Sequence, residues 1–429
     1  MDKHISSLLA FLDSSPCNFL AVDTVKHTLE ENGFSARQLN EKFKFNKGDK
    51  LFFTKNDSAI FAVSLGRKDI SETGFKIISA HSDSPCFRLK PSSEITAEGG
   101  IVKLNTEVYG GPILYTWFDR PLSLAGRVIL RSEDVLKPHT RLLHISEPLL
   151  QIPHLAIHFN RAVNEGNKLS KQKDMLPIIA KVNECFQNGN LILKLISDKL
   201  KIDQSEILDF DLMLYDTEKV CTFGLNNEFI SAGRLDDLSM VHAAITAITE
   251  QEPTDQTCVV AIFDNEETGS GTKQGAGSPV LANILHRLVE MQGGNFEDFA
   301  IAIEKSFMIS ADNAHAFHPN YNEKYDPTNH PSLGGGPCIK INANCKYMTD
   351  AHSSAIFQSL CKEAGVPFQY FVNHSDVAGG STLGNILTGQ IDLEGVDVGN
   401  PLLAMHSVRE TGSTDDHISM IKVFKKFFE

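Results

Sequence analysis

The stretch CVVAIFDNEET, residues 258–268, joins an apolar run directly to a group of acidic residues. An uninterrupted apolar run of this length is typical of a buried strand. Two further runs have the same form, since residues 75–80 end at His81 and residues 307–311 end at Asp312. Helix-like segments between the later runs predict a mostly parallel sheet. Because sites in such sheets form beyond the carboxyl ends of the strands, we expect these polar side chains to meet at one edge.

Composition limits the classes of function that are open to the chain. Its 429 residues are 41% hydrophobic and carry a formal net charge of −14, as in a folded globular protein. This charge argues against a nucleic-acid partner, which needs clustered Lys and Arg. The sequence shows neither a membrane-length apolar stretch nor a signal peptide, so we expect a cytoplasmic protein without a membrane partner. The eight cysteines form no CxxC pair, which argues against a zinc ribbon or a disulfide framework.

Patterning predicts an α/β fold in two parts. Residues 1–88 and 233–429 form the mostly parallel-sheet domain, which is therefore discontinuous in sequence. Residues 89–232 have β-type alternation, as at 101–104 and 191–196, and predict an inserted β-rich domain. Near the start of the chain, we expect a helix that begins at about Asp23 and ends before Gly33.

Two pairs of residues in the sheet domain are candidates for metal binding. His81 and Asp83 lie two residues apart, on the same side of an extended chain, so both could bind metal or Asp83 could orient the imidazole. Asp236 and Asp237 precede a helical apolar pattern at residues 238–248. They could be ligands, but taken alone they are better explained as caps of that helix.

Further candidates lie later in the chain. Asp312 follows a predicted strand, whereas His315, His318 and His406 could each be ligands or residues that only pack. Carboxylates and imidazoles together, without an HExxH helix, are typical of a two-metal hydrolase. Two divalent cations would neutralise the charge of the four crowded carboxylates, which are Asp236, Glu266, Glu267 and Asp312. The sequence contains no GxSxG elbow, phosphate-binding loop or Rossmann fingerprint that would favour other chemistry.

Nine ordered segments resemble the M18 family of zinc aminopeptidases, the aspartyl aminopeptidase family, in its bacterial form. They span nearly the whole chain and are SPCNFLAV (15–22), SAHSDSPCFRLKP (79–91), TWFDRPLSLAGRV (116–128), IPHLAIHFNRAVN (152–164), SAGRLDDLS (231–239), FDNEETGS (263–270), SADNAHAFHPNY (310–321), GGSTLGNI (379–386) and DVGNPLLAMHSVRET (397–411).

This resemblance implies a role for each residue of the site. Asp236 would bridge two zinc ions, His81 and Asp312 would complete one zinc site, and Glu267 and His406 the other. Glu266 would be the general base that activates water, and Asp83 would orient His81. Manganese and cobalt suit the same ligands.

The resemblance also implies a substrate and an assembly. Peptides with a free N-terminus would be cleaved, and Lys340 would receive an acidic N-terminal side chain. Lys340 could instead be an ordinary strand lysine. His158 would reach from the inserted dimerisation domain into a neighbouring subunit's active site, or it could only pack. The family assembles as a hollow dodecamer built from dimers.

Two other functions remain open from the residues alone. A carboxypeptidase or deacylase could use the same paired metals, although the sequence offers no evident arginine for a substrate carboxylate. A peptide-binding scaffold could also inherit the fold without catalysis.

Overall fold

Contacts within the chain divide it into two units. The computed structural model describes residues 2–182 and 190–429, so Cys185 lies outside the described residues. The first unit comprises Met1–Asp83, Val220–Met405 and Glu410–Glu429, and the second comprises Ser84–Lys219 and His406–Arg409. The sequence places the borders of the inserted domain at residues 89 and 232, and that assignment stays a prediction.

The α-helices of the described residues are α1 (Lys3–Ser14), α2 (Asn18–Glu31), α3 (Ile70–Thr73), α4 (Leu191–Leu200), α5 (Leu235–Thr249), α6 (Val280–Met291), α7 (Phe296–Glu304), α8 (Ala351–Ala364), α9 (Leu383–Leu387) and α10 (Thr414–Phe428). None of the helices in this part of the chain is both long and apolar enough to cross a membrane.

The strands of the described residues are β1 (Ser35–Ala36), β2 (Lys50–Lys55), β3 (Ala59–Ser64), β4 (Phe75–His81), β5 (Cys86–Ala97), β6 (Ile101–Tyr109), β7 (Leu122–Leu130), β8 (His139–His144), β9 (Ile178–Lys181), β10 (Ile207–Asp216), β11 (Cys221–Phe223), β12 (Phe229–Ala232), β13 (Thr257–Phe263), β14 (Phe307–Ala311), β15 (Ala314–His315), β16 (Cys338–Lys340), β17 (Gln369–Phe371), β18 (Glu394–Gly399), β19 (Pro401–Leu402) and β20 (Glu410–Ser413).

The first unit is built on a nine-stranded sheet in the order β1-β2-β3-β13-β4-β14-β18-β16-β17. Its central strands β13, β4, β14 and β18 pair in parallel, which confirms the predicted α/β class. The three apolar runs of the sequence are the strands β4, β13 and β14 at the centre of this sheet.

Both faces of the central sheet are covered. Along β13, Val260 and Ile262 pack into one core cluster with residues of α1, α2, α5 and α10. Val259, Ala261 and Phe263 pack into a second cluster with residues of α6 and α7. Successive side chains of a strand point to opposite faces, so a strand with both faces covered must be apolar throughout. This is the physical reason for the uninterrupted apolar runs.

The second unit contains a six-stranded antiparallel sheet in the order β8-β7-β10-β5-β6-β9. The β-type reading of residues 191–196 is wrong, because this segment is the start of α4. Ile192 and Ile196, one helical turn apart, are the buried residues of that helix. A short apolar run fits both the period of a helix and that of a strand. Here the burial of one helical face selects the helix.

The predicted start of the second helix is also wrong. Helix α2 begins at Asn18, so Asp23 lies inside it and cannot be its cap. Cys17 is extended at the N-cap position, and Phe19, Val22 and Val25 form the buried face. Apolar packing therefore starts the helix one turn before the polar residues that resembled a cap.

Gly399, the last residue of β18, allows the close approach of the chain beside Asp312. A β-carbon at this position would lie 1.9 Å from the Asp312 carbonyl oxygen and 2.7 Å from the Asn313 Cα. We expect Gly399→Ala to lower the free energy of unfolding by about 1–3 kcal/mol, because the clash is with backbone. Gly380→Ala is the control, since a β-carbon there meets nothing within 4 Å. Equal midpoints of urea unfolding for the two variants would contradict this prediction.

Candidate metal centre

Three central strands deliver polar residues to one edge of the sheet. His81 ends β4 and is in register with Phe263, the last residue of β13. A short 3-10 helix, Glu266–Thr268, follows β13, and Asp312 follows β14. Parallel strands end at the same edge, so the chain brings these side chains together as the sequence indicated.

The side chains at this edge form two groups with the geometry of metal ligands. His81, Asp236, Asp237 and Asp312 are all buried, and each offers one ligand atom within 4.8 Å of the others. His81, Glu266 and Glu267 form a second group by the same measure. The predicted ligands of the first unit therefore lie together, and Asp237 is a member that the prediction left as a helix cap.

The imidazole of His81 is held in one orientation. Its Nδ1 lies 3.0 Å from the backbone carbonyl oxygen of Asp83, which assigns the ring proton to Nδ1. Its Nε2 is buried, lies 4.0 Å from Asp236 Oδ1 and makes no hydrogen bond to the described residues. Burial would lower the pKa of His81, but the charges of Asp237 and Asp83 raise it well above the ordinary value.

Asp237 and Asn313 support the ligands through the backbone. One carboxylate oxygen of Asp237 accepts a hydrogen bond from the His81 backbone N–H at 3.1 Å, and the other accepts one from the Asn313 amide at 3.2 Å. The same amide donates to the carbonyl oxygen of Leu235 at 2.9 Å. These bonds tie the end of β4 to the start of α5 and to the residue after Asp312. In these contacts the Asp237 carboxylate bonds to His81 and Asn313, so its side chain does not act as a cap of α5.

Glu410 is a second supporting residue that the sequence interpretation missed. It is 2% exposed, and its Oε2 accepts the backbone N–H of Asp236 at 3.0 Å. In the sequence, Glu410 lies among the polar residues that follow His406, where an acidic side chain would ordinarily be solvated. Neither its spacing nor its neighbours in sequence indicate that it reaches the start of α5.

The carboxylate of Asp83 organises the turn that carries the two glutamates. Its Oδ1 accepts the backbone N–H of Glu266 at 3.1 Å, and its Oδ2 accepts that of Glu267 at 3.2 Å. Its own backbone carbonyl oxygen accepts a hydrogen bond from His81 Nδ1–H, while its carboxylate Oδ1 lies 3.4 Å from the same nitrogen. Asp83 thus contacts both segments, and its role in orienting His81 stays a prediction.

Burial and mutual repulsion hold protons on the carboxyl groups in the absence of a cation. Burial and the charges of Asp312, Asp83 and Asp236 raise the pKa of Glu266 to about 8, although His81 opposes them. Burial and the charge of Asp236 likewise raise the pKa of Glu267 well above its ordinary value. A divalent cation would remove this repulsion.

The residues fit a bound zinc ion on two observations. The buried Nε2 of His81 lies 4.0 Å from Asp236 Oδ1 and makes no hydrogen bond to the described residues, so a cation that replaced its proton would meet no competing partner. The remaining donors are carboxylate oxygens, which together with imidazole nitrogen are a normal zinc ligand set. These observations support a metal at this edge of the sheet.

Lys340 lies beside the centre at the end of β16. Its Nζ is 3.5 Å from Asp312 Oδ2 and 5.7 Å from the ring centroid of Tyr347. Burial would lower the pKa of Lys340, but the charge of Asp312 raises it above the ordinary value. The ammonium group is therefore charged although the residue is only 3% exposed. The assignment of Lys340 to substrate binding stays a prediction.

The other predicted histidines lie outside these two groups. The Nδ1 of His406 is 3.2 Å from the carbonyl oxygen of Gly111 within the second unit, and its place as a zinc ligand stays a prediction. His158 is exposed on a short 3-10 helix, Ile157–Phe159, and its role at a neighbouring subunit's site stays a prediction. His315 packs against Phe371, and His318 accepts the backbone N–H of Asn320.

A family model described as aminopeptidase I zinc metalloprotease (M18) matches residues 11–428. The chain belongs to the M18 family. Membership confirms the resemblance seen in the sequence and makes the protein an aminopeptidase, a hydrolase of the metallopeptidase class.

Relatives in the M18 family are similar over their whole length. A probable M18 family aminopeptidase 2 of Clostridium novyi (strain NT) is 52% identical over 426 residues, which cover 99% of this chain and 98% of the relative. The protein of the same name from Pseudomonas aeruginosa (strain UCBPP-PA14) is 40% identical over 98% of this chain and 97% of its own.

Solved M18 structures share the fold. A cryo-EM structure of the Ape4 and Nbr1 complex contains a chain with a TM-score of 0.95 and 36% identity, which this chain matches over 99% of its own length and 85% of that chain. Chaetomium thermophilum mApe1 has a TM-score of 0.88 at 29% identity, with 99% and 96% covered. An M18 aminopeptidase from Thermotoga maritima, at 23% identity and a TM-score of 0.86, shows the fold alone, with 99% and 95% covered.

The crowded carboxyls predict how the stability of the metal-free protein depends on pH. Glu266 has a pKa of about 8 in the folded protein and an ordinary value of 4.5, so the folded state binds more protons in this window. Stability therefore falls as pH rises towards 8, and the raised pKa of His81 acts in the same direction. Buried His242, with a pKa lowered to about 3, has the opposite effect, which is complete above about pH 6.5.

We therefore expect the Tm of chelator-treated protein to fall between about pH 6.5 and 8. Glu266→Gln should reduce this fall, because the amide does not titrate. Thermal unfolding monitored by circular dichroism measures both slopes. A metal-free Tm that rises over this range would contradict the assignment of repelling carboxyls.

Proposed function

We propose that this aminopeptidase uses two zinc ions to remove N-terminal residues, preferentially Asp and Glu, from peptides with a free N-terminus. The observation that carries the proposal is the buried group of His81, Asp236, Asp237 and Asp312 beside the carboxyl of Glu266. Membership of the M18 family supplies the reaction class, and the geometry supports the finer assignment.

The proposed ligands divide into two sets around one carboxylate. Asp236 would bridge the two ions, His81 and Asp312 would hold one of them, and Glu267 and His406 would hold the other. The Nε2 of His81, which makes no hydrogen bond to the described residues, and the repulsion among the carboxyls support the binding of cations here. Manganese and cobalt also suit these oxygen and nitrogen donors.

Glu266 is proposed as the general base. When bound, zinc polarises the scissile carbonyl and makes water a better nucleophile at neutral pH. Glu266 receives the proton from the attacking water and passes it to the leaving amine. Its pKa of about 8 in the metal-free protein would fall when cations neutralise its neighbours, which places it in the range of an effective base. The two N–H bonds to Asp83 keep the adjoining backbone in place.

Glu266→Gln tests this role. We expect the variant to bind as much zinc as the wild type and to lose about 10²- to 10⁴-fold in kcat, because the amide cannot accept the proton. Elemental analysis and hydrolysis of free amino-acid amides measure the two quantities. Glu252→Gln, at an exposed position, is the matched control. Wild-type turnover in a zinc-loaded E266Q protein would reject Glu266 as the base.

The proposed preference for substrates with an acidic N-terminal residue rests on Lys340. Its charged ammonium group lies 3.5 Å from Asp312 Oδ2, and a cation bound by Asp312 would reduce that attraction. Lys340 could then attract the carboxylate of an N-terminal Asp or Glu side chain as a point charge. Tyr347 packs beside it and limits where the ammonium group can move.

Lys340→Met tests the preference separately from the chemistry. We expect kcat/KM for aspartyl and glutamyl amides to fall about 10- to 100-fold relative to leucyl amide, since a buried charge-assisted contact is lost. Zinc content is measured in parallel, because the variant also removes the partner of Asp312. Lys346→Met, at an exposed position, is the control. An unchanged ratio of acidic to leucyl substrates would remove Lys340 from substrate recognition.

The assembly is proposed to be a dodecamer built from dimers, with His158 contributing to the neighbouring subunit's site. A related structure is described as the Saccharomyces cerevisiae mApe1 dodecamer. In this chain the short helix that carries His158 and the segment just before it expose apolar side chains, since Leu155, Ile157 and Phe159 are 56%, 52% and 80% exposed. Such a surface favours burial against another subunit. A cytoplasmic location is proposed with it.

A further inference from the structure

A cavity of about 310 Å³ in the first unit is lined by cations without carboxylates. Among the described residues that line it are Lys55, Lys273 and Arg287, and none is Asp or Glu. This is unusual in a chain with a formal net charge of −14. A larger cavity beside Phe307 shows the contrast, because four glutamates accompany its three lysines.

The guanidinium of Arg287 is fixed in place. Its Nη1 donates to the carbonyl oxygen of Leu39 at 2.7 Å, and its Nη2 donates to the carbonyl oxygen of Glu41. The group also stacks 3.6 Å from the centroid of the Phe43 ring. Carbonyl oxygens and a ring orient the charge without neutralising it.

The two lysines are likewise left with net positive charge. Lys273 Nζ donates to Asn56 Oδ1 at 2.7 Å and to Gln274 Oε1 at 3.3 Å, which are both neutral amides. Lys55 ends β2 and is half-buried, and its side chain forms neither an ion pair nor a hydrogen bond with the residues that the structure describes. Three cationic residues, with no carboxylate among the described residues that line the cavity, give it a positive potential.

The rest of the cavity wall is largely apolar and includes the start of α6. Leu39, Pro279, Val280 and Ile284 supply carbon surface, and Ser278 supplies a hydroxyl group. The positive end of the helix dipole at Val280 adds to the effect of the side chains. The wall therefore suits a ligand that combines an anionic group with an apolar group.

The loop that carries Lys273 is bonded to the turn that carries Glu266. Gln274 Nε2 and Thr272 Oγ1 both donate to Asn265 Oδ1 at 2.8 Å. The backbone N–H of Asp264 donates to the Gln274 carbonyl oxygen at 3.2 Å. A ligand that draws Lys273 towards the cavity would therefore act on the residues immediately before Glu266.

We infer that the cavity of Lys55, Lys273 and Arg287 is an effector site for a small anion, a phosphate or carboxylate that bears an apolar group. The anion is held by the three cations, and its apolar group packs on Leu39 and Ile284. Occupancy alters turnover through the bonds from the loop of residues 272–274 to Asn265.

Calorimetric titration of the zinc-loaded full chain with phenyl phosphate tests the site, with inorganic phosphate and phenol as separate probes. We expect phenyl phosphate to bind with a Kd below about 1 mM, and more tightly than either probe alone. The double variant Lys55→Met/Lys273→Met should bind it at least about tenfold more weakly. Arg287 is left unchanged because it packs on Phe43.

Two controls establish whether phenyl phosphate binds at this cavity. Lys194→Met changes the charge of an exposed lysine in the second unit and should leave binding unchanged. Phenyl phosphate bound at the metal centre would bind the double variant as tightly as the wild type, and that result would overturn the inference. Unchanged Tm and zinc content in the double variant exclude loss of folding.

Turnover of a saturating amino-acid amide, measured with and without phenyl phosphate, tests the effector role. We expect kcat to change at least about twofold in the wild type and to stay constant in the double variant. If phenyl phosphate bound at the cavity and the kcat of the wild type stayed constant, the cavity would be an anion site without an effect on turnover. That result would overturn its role as an effector site.

Discussion

The mutual repulsion of carboxylates buried at one edge of the central sheet is the constraint on which the site depends. Asp236, Asp237 and Asp312 lie together and are buried, and the partly buried Glu267 lies beside Asp236, where water screens charge poorly. An isolated charge in such a place would be neutralised by a proton. The raised pKa values of Asp237, Asp312 and Glu267 express this cost, and a divalent cation would stabilise the ionised forms.

The fold meets this constraint by fixing the backbone as well as the side chains. His81 is held at its backbone N–H by Asp237 and at its ring by the carbonyl oxygen of Asp83. Asp236 is held at its backbone N–H by Glu410. Hydrogen bonds to a charged acceptor are stronger than neutral ones, so buried carboxylates are effective at positioning loops around a metal. The supporting acids Asp237 and Glu410 therefore fix the backbone positions of His81 and Asp236.

The sheet explains why so few local signals are needed to assemble the site. Its central strands are apolar on both faces because helices cover both, and their parallel register brings His81 level with Phe263. Any polar residue that directly follows such a strand arrives at the same edge. The cation-lined cavity beside α6 has the opposite charge to the metal centre, and one loop connects the two. Charge of either sign is thus concentrated locally in a chain whose net charge is negative.

The sequence by itself determined the α/β class, the three central strands and the residue types that meet at their ends. The periodicity and polarity of residues are local properties of the sequence. Because parallel strands end at the same edge of a sheet, these local properties also predict where the polar residues lie. It failed at residues 191–196 and at the start of α2, because short apolar runs and polar caps are decided by which face finds a partner. Only the tertiary structure decided that Asp237 supports His81, that Glu410 reaches Asp236 and that Asp83 holds the glutamate turn. Those contacts join residues that are distant along the chain, and the spacing of residues in a sequence carries no information about such distances.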